Sequence, residues 1–227
     1  MRSRLASLAA LLAASAAVLL ALVTPLAAEA RADDYADAVA AFKPAWTDAE
    51  PKTAVDKWLA PFADADRTKM KAVRLVSEFG APRQSYVKGH WHTGTDLWPR
   101  VKTEPHVEVF AMANGVVVSV HLADPHLTVV VKHKLKDGTS VWTSYKHLQS
   151  TTAQIGQEVT PDTKLGRLYT KKEAKAQGGD YDHLHLEIRK NVDDYGVGSW
   201  MTMAKADLAA RFYDPWDFMK KKLGEAR

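Results

Sequence analysis

The spacing of apolar residues changes character near Gly80. Between Asp33 and about Val76 the chain is rich in Ala, Lys, Asp and Trp, and AVDKWLAPFADADRTKMKAVRLVSEF repeats its apolar positions at helical spacing. Pro44, Pro51 and Pro61 interrupt that spacing, so the pattern predicts two or three short helices rather than one long one. Phe42, Trp46, Trp58 and Phe62 are expected to pack onto the domain that follows; a propeptide covering a site is the alternative. After Gly80 the runs are β-branched: GVVVSV at 115–120, HLTVVVKHKL at 126–135, SVWTSYKHL at 140–148 and HLHLEIRK at 183–190. Lys136-Asp137-Gly138 is a hairpin signal, and an antiparallel sheet follows. TKKEAKAQGGDYD at 170–182 reads as a short helix or loop, and the tail as two helices divided at Asp214-Pro215. The fold class expected is mainly β, an antiparallel sheet with short N-terminal and C-terminal helices.

The first residues add a different element. Arg2 and Arg4 precede a run from Leu8 to Val23 that is apolar but for Ser15, then Pro25 and a cluster of alanines. This is the pattern of a secretory signal peptide with cleavage after Ala30 or Ala32, an uncleaved anchor being the alternative. The expected organisation is therefore a leader over 1–32, a helical segment over 33–75 and one domain over 76–227, with the product exported to the periplasm or cell envelope and not held in a membrane. Loss of Arg2, Arg4, Arg31 and Glu29 with the leader removes half of the net charge of +4. Without a stripe of basic residues interleaved with aromatics, nucleic acid is excluded as a partner. Nothing in the pattern specifies an oligomer.

Cysteine is absent. In an exported protein that removes disulfide staples, and it leaves His and carboxylate as the means of holding a metal. Four short pieces concentrate such chemistry. His92-Thr93-Gly94-Thr95-Asp96 cannot share an ion on a regular strand, where side chains four apart are separated by about 13 Å. Two threonines and a glycine make poor helix, so Gly94 is expected to bend the chain and let His92 and Asp96 converge. In His183-Leu184-His185-Leu186-Glu187-Ile188, strand alternation puts His183, His185 and Glu187 on one face and the aliphatic residues in the core. Glu187 is then either a partner orienting an imidazole or an exposed strand-end carboxylate. Tyr145-Lys146-His147-Leu148 ends a strand, and Gly80-Ala81-Pro82-Arg83 is a turn leading into the first piece. The other histidines, His90, His106, His121, His126 and His133, are taken as structural or surface residues; the Gly94 and Asp96 spacing selects His92 over His90.

In order and content, VSEFGAPR, HTGTDL, the strand start at Asn114, SYKHL, VTPDTKLGRL and HLHLEIR resemble the lysostaphin/LytM family of zinc endopeptidases from about Val76 to Arg189. The resemblance implies a β-sandwich with a groove, zinc held by His92, Asp96 and His185, and His147 and His183 placed over the water on the metal. It implies hydrolysis of peptide bonds in peptidoglycan, with peptidoglycan peptides as partners. A non-catalytic envelope regulator of the same fold and a zinc peptidase acting on exported proteins are the alternatives; the filled ligand positions speak against the first. The chain departs from the family in the Gly178-Gly179-Asp180-Tyr181-Asp182 turn and in PHVEVF at 105–110, and Asp180 and Asp182 are expected to favour a basic group in the substrate.

Overall fold

The computed structural model describes residues 45–63, 66–84, 88–101, 106–123, 125–192 and 204–223. The leader and Phe42 lie outside the described residues. In chain order the strands begin with β1 (Ala45–Trp46), β2 (Val73–Ser77), β3 (Pro82–Arg83), β4 (His90–Trp91), β5 (Thr95–Pro99), β6 (Glu108–Phe110) and β7 (Gly115–His121). They continue with β8 (Thr128–Lys134), β9 (Ser140–Lys146), β10 (Leu148–Thr151), β11 (Glu158–Val159), β12 (Lys164–Leu168), β13 (Leu184–Arg189) and β14 (Phe212–Tyr213). Among the described residues three helices, α1 (Lys171–Ala176), α2 (Lys205–Arg211) and α3 (Pro215–Lys222), complete a mainly β protein. None of the helices among the described residues is long and apolar enough to cross a membrane.

The principal sheet has nine strands in the order β1-β7-β8-β9-β13-β5-β2, with β11 beside β7 and β14 beside β13. All of its described pairings are antiparallel. The valine runs of β7 and β8 pair across it, and Lys136-Asp137-Gly138 forms the β8–β9 turn, with Leu135 N–H donating to Thr139 O. A second sheet, β10-β12-β6, contributes Val109, Leu148, Leu165 and Leu168 to the same core as Val117, Val129, Val131, Leu184, Leu186 and Ile188. Such alternation, apolar inward and polar outward, is what lets one face of β13 carry chemistry while the other holds the sheets together.

Helix α1 forms because Thr170 and Glu173 close a capping box, each side chain receiving the other's backbone N–H. The Arg167 guanidinium and the Thr170 amide hold the Glu173 carboxyl down at about 2. In α3, Asp214 accepts from the Trp216 and Asp217 amides, Pro215 opens the helix, and three lysines occupy its last turn.

The helices expected between 45 and 75 are replaced by an extended strap. Besides β1 and β2, that stretch contains only a 3-10 turn at Met70–Ala72 among the described residues. Its backbone pairs outward instead of along itself: Val55 N–H donates to Lys134 O, Leu59 N–H to Met112 O, and Phe110 N–H to Pro61 O. Prolines at 51 and 61 weaken a helix, and neighbouring segments offer partners to several strap groups, so tertiary pairing overrides local spacing. The aromatic expectation holds where it is described: Trp58 and Phe62 are in the core, and Trp46 packs on Val116, Val118 and Val130.

His133 lies under Trp58, ring centroids 5.0 Å apart. It donates from Nδ1 to Asn114 O and accepts at Nε2 from Thr143 Oγ1, both at 2.8 Å, and burial pulls its pKa down to about 4. The unfolded chain therefore takes up this proton first, and stability falls as pH drops from about 6.5 toward 4, by about 2–3 kcal/mol for this group. Urea unfolding at pH 7 and pH 4.5 should give a smaller pH difference for His133→Gln than for the parent protein; an equal difference would remove His133 from the acid response.

Candidate metal centre

The centre is assembled by strand register. β13 lies between β5 and β9, with His185 opposite Asp96 on one side and opposite Lys146 on the other. Side chains directly across an antiparallel pair have Cβ atoms about 5 Å apart, which delivers Asp96 to His185 without any loop. His92 reaches them because the chain bends at Gly94 just before β5. The glycine is required by close approach: a Cβ there would stand 2.4 Å from Leu186 O and 2.7 Å from His185 Nε2. His90 sits instead on β4, opposite Arg83.

Three acceptor atoms meet at this point. His92 Nε2 and Asp96 Oδ1 are 3.0 Å apart, His92 Nε2 and His185 Nδ1 2.9 Å, and His185 Nδ1 and Asp96 Oδ1 3.0 Å. The outer nitrogens are committed elsewhere. His92 Nδ1 donates to Glu78 O at 2.6 Å, and His185 Nε2 donates to Glu187 Oε1 at 3.1 Å. When neutral, rings held this way turn two lone pairs toward each other and toward a carboxylate, an arrangement that a cation satisfies. The donor set is hard-to-borderline N and O, and atoms bonded to one zinc at about 2.1 Å stand roughly 3–3.5 Å apart, so the residues fit zinc. His92, Asp96 and His185 are a group able to hold a metal ion.

Electrostatics agree with that geometry. Burial works against ionising Asp96, but the ring nitrogens of His183, His185 and His92 outweigh it and hold the carboxyl far below its usual range. Arg83 donates from Nη2 to the other oxygen, Asp96 Oδ2, at 2.9 Å and also to Ser77 Oγ. For His92 burial dominates and lowers the pKa, whereas for His185 the bonds to Asp96 and Glu187 overcome burial and raise it.

Two further imidazoles stand beside the cradle. His183 Nε2 lies 3.5 Å from Asp96 Oδ1. The His147 ring is 5.1 Å from that of His183 and 6.0 Å from that of His185, centroid to centroid. His147 donates from Nδ1 to Pro125 O at 2.9 Å, leaving Nε2 as an acceptor, and burial pushes its pKa well below 6.5. Its backbone is left-handed, φ 62°, a conformation uncommon for a residue with a Cβ.

Residues 90–196 match peptidase family M23. Those residues, 107 of the chain's 227, are identified as a domain of that family. The M23 domain is similar to the catalytic domain of the antimicrobial peptidase lysostaphin from Staphylococcus simulans, at 17% identity over 65% of this chain and 92% of that one, TM-score 0.42. It is also similar to a chain of the SpoIIIAH and SpoIIQ complex (20% identity, 71% and 99% covered, TM-score 0.44). A zinc-containing peptidase from Vibrio cholerae shares 21% identity over 58% of this chain and 36% of its own, TM-score 0.40. No curated protein sequence matches the chain.

All five residues singled out in the sequence lie at this one place in the M23 domain. Arg83 and Glu187, both in pieces already singled out, join them there. Arg83 arrives through the β3–β4 hairpin, which folds the Gly80–Arg83 turn back over the ligands. His126, taken above as structural or surface, stands 5.6 Å from the His147 ring, with Tyr181 5.1 Å from His147 on another side. Glu187 is fully buried rather than an exposed strand end. Asp180 is exposed, and Asp182 is tethered by its carbonyl to Trp98 Nε1 at 2.7 Å.

Because a Cβ at position 94 collides with backbone and with a ligand ring, Gly94→Ala should displace His185 and weaken zinc binding at least tenfold, in line with other disturbances of ligand orientation. Competition with a chromogenic chelator measures this, and affinity within twofold of the parent would show that the bend tolerates a side chain.

Proposed function

We propose that this chain is a zinc-dependent endopeptidase that hydrolyses peptide bonds in peptidoglycan. The observation that carries the reading is the convergence of three possible ligand atoms with two further imidazoles beside them. Three protein ligands with a free coordination position are the pattern of a catalytic site rather than a structural one. In such a cradle zinc supplies Lewis acidity, acidifying water and polarising a carbonyl.

The protein's own groups then have distinct tasks. His147 has its Nδ1–H tied to Pro125 O, so Nε2 is the atom that takes a proton from the attacking water and returns it to the leaving amine. His183, whose Nε2 lies against the cradle, donates to the carbonyl oxygen as negative charge develops there. Arg83 and Glu78 O keep Asp96 and His92 aimed while this happens. The peptidoglycan substrate is supported by the secretory leader pattern and by the likeness of the six motif pieces to wall endopeptidases. Retention of every ligand position favours an active enzyme over a regulator.

Zinc content and release of soluble muropeptides from purified peptidoglycan test the proposal together. The expected result is near one zinc per chain, with new amine ends that disappear in Asp96→Ala along with the metal. His147→Ala should keep zinc and lose roughly a hundredfold or more in rate, the usual contribution of a general base. Zinc without cleavage would turn the reading toward a regulator or another substrate, and a protein without zinc would end it. Replacing both Asp180 and Asp182 by alanine should abolish a several-fold preference for peptides bearing a basic group; an unchanged ratio would free those residues of any part in selection.

A further inference from the structure

One carboxylate, Glu187, ties together the three segments that carry the site. Its Oε1 accepts from Thr93 Oγ1 at 2.6 Å and from His185 Nε2 at 3.1 Å, and lies 3.3 Å from Lys146 Nζ. Its Oε2 accepts from Arg189 Nε at 2.7 Å. Thr93 belongs to the bend between His92 and Gly94, Lys146 ends β9 immediately before His147, and His185 is a ligand on β13. Glu187 and Arg189 are fully enclosed, and Thr93 and Lys146 nearly so.

Resting on the zinc reading above, we propose that Glu187 is a positioning residue: it fixes the His185 tautomer that leaves Nδ1 free for the metal and pins the His92–Gly94 bend, while Lys146 and Arg189 keep its two oxygens turned the right way. The two ends of the carboxylate are not equivalent in their demands. Arg189 can only donate, so the atom facing it must accept. Lys146 can only donate as well, so the other oxygen must accept too, and His185 is obliged to present Nε2 as a donor. A neutral imidazole with its proton on Nε2 has its lone pair on Nδ1, the atom that points at His92 and Asp96. Thr93 Oγ1 on the same oxygen carries the constraint to the second ligand segment. The two cations thus govern, through one carboxylate, which nitrogen of a ligand ring can bind.

An amide at position 187 separates this role from simple packing. With Arg189 still demanding an acceptor, the oxygen of a glutamine turns to it and the NH2 group faces His185, which then must accept at Nε2 and carry its proton on Nδ1. Lys146 would oppose that NH2 group, so the variant to use is Glu187→Gln/Lys146→Met, which removes one negative and one positive charge and leaves the buried net charge unaltered. In the full-length protein, nitrogen-15 NMR of the metal-free imidazoles should show the His185 proton on Nε2 in the parent and on Nδ1 in the variant. Zinc affinity, by chelator competition, should fall tenfold or more while thermal unfolding stays cooperative.

A folded variant that keeps the proton on Nε2 and binds zinc within twofold of the parent would overturn the proposal. Should the double variant not fold, Thr93→Val decides, since it removes one hydroxyl at constant shape: weakening of threefold or more supports the role, and unchanged affinity overturns it. A parent protein that binds no zinc would overturn the function proposed above, yet the proton position in the metal-free ring would still decide the role of Glu187.

Discussion

The pairing of β13 between β5 and β9 is the constraint on which the rest of the centre depends. It sets His185 beside Asp96 and beside Lys146 in a single register. The register is chosen by the opposite face, where Leu184, Leu186 and Ile188 are fully buried. Each such side chain contributes about 1.5–3 kcal/mol by leaving water. A slip by one residue would exchange faces, sending His185 and Glu187 into the apolar core and the aliphatic residues to the polar side. The hydrophobic core thus does more than stabilise the domain: it holds the metal-binding face in place, because the same strand serves both.

Around that register, the buried carboxylates are each answered by donors. Asp96 has imidazoles at one oxygen and Arg83 at the other; Glu187 has His185, Thr93 and Lys146 at one oxygen and Arg189 at the other. Taking charges out of water is costly unless they are paired and hydrogen-bonded. The pairing has a directional result as well. Arg83 donates on the outer side of Asp96, and the outer ring nitrogens of His92 and His185 are tied to Glu78 O and Glu187, so the atoms facing inward are the ones left to hold a cation.

Much of this was legible in the residues. The β runs, the Lys136-Asp137-Gly138 turn and the Asp214-Pro215 break are local signals that formed where their own residues favour them, and the stretch after Thr170, open between helix and loop, forms a capped helix. The alternation in His183–Ile188 located the polar face, and Gly94 located the bend. The strap over 45–63 has apolar spacing that suits a helix, whereas its amides and carbonyls find partners in β6, β7 and β8 that no local rule anticipates. Glu187 could be assigned to a face but not to a depth, since its burial is created by the cations of β9 and β13 and by Thr93. His126 was within reach of the sequence: the β8–β9 register pairs Lys134 with Ser140 and Val129 with Tyr145, and counting on in the same register brings residues 126 and 127 opposite 148 and 147.

That register also explains the strained corner at His147. Lys146 points to the polar face, toward Glu187. On a continuing strand the next side chain would point away from it, into the core that Leu148 occupies. A left-handed residue breaks the alternation, and φ 62° at His147 returns its ring to the side where His183 and His185 stand. The conformation costs on the order of 1–2 kcal/mol for a residue other than glycine. Residues 125–127 offset that cost from across the hairpin: Pro125 O accepts from His147 Nδ1, the His126 ring tilts against the His147 ring, and Leu127 O accepts from the Leu148 amide. Glycine would fit the backbone more easily there, but it would leave the acceptor nitrogen out of the centre.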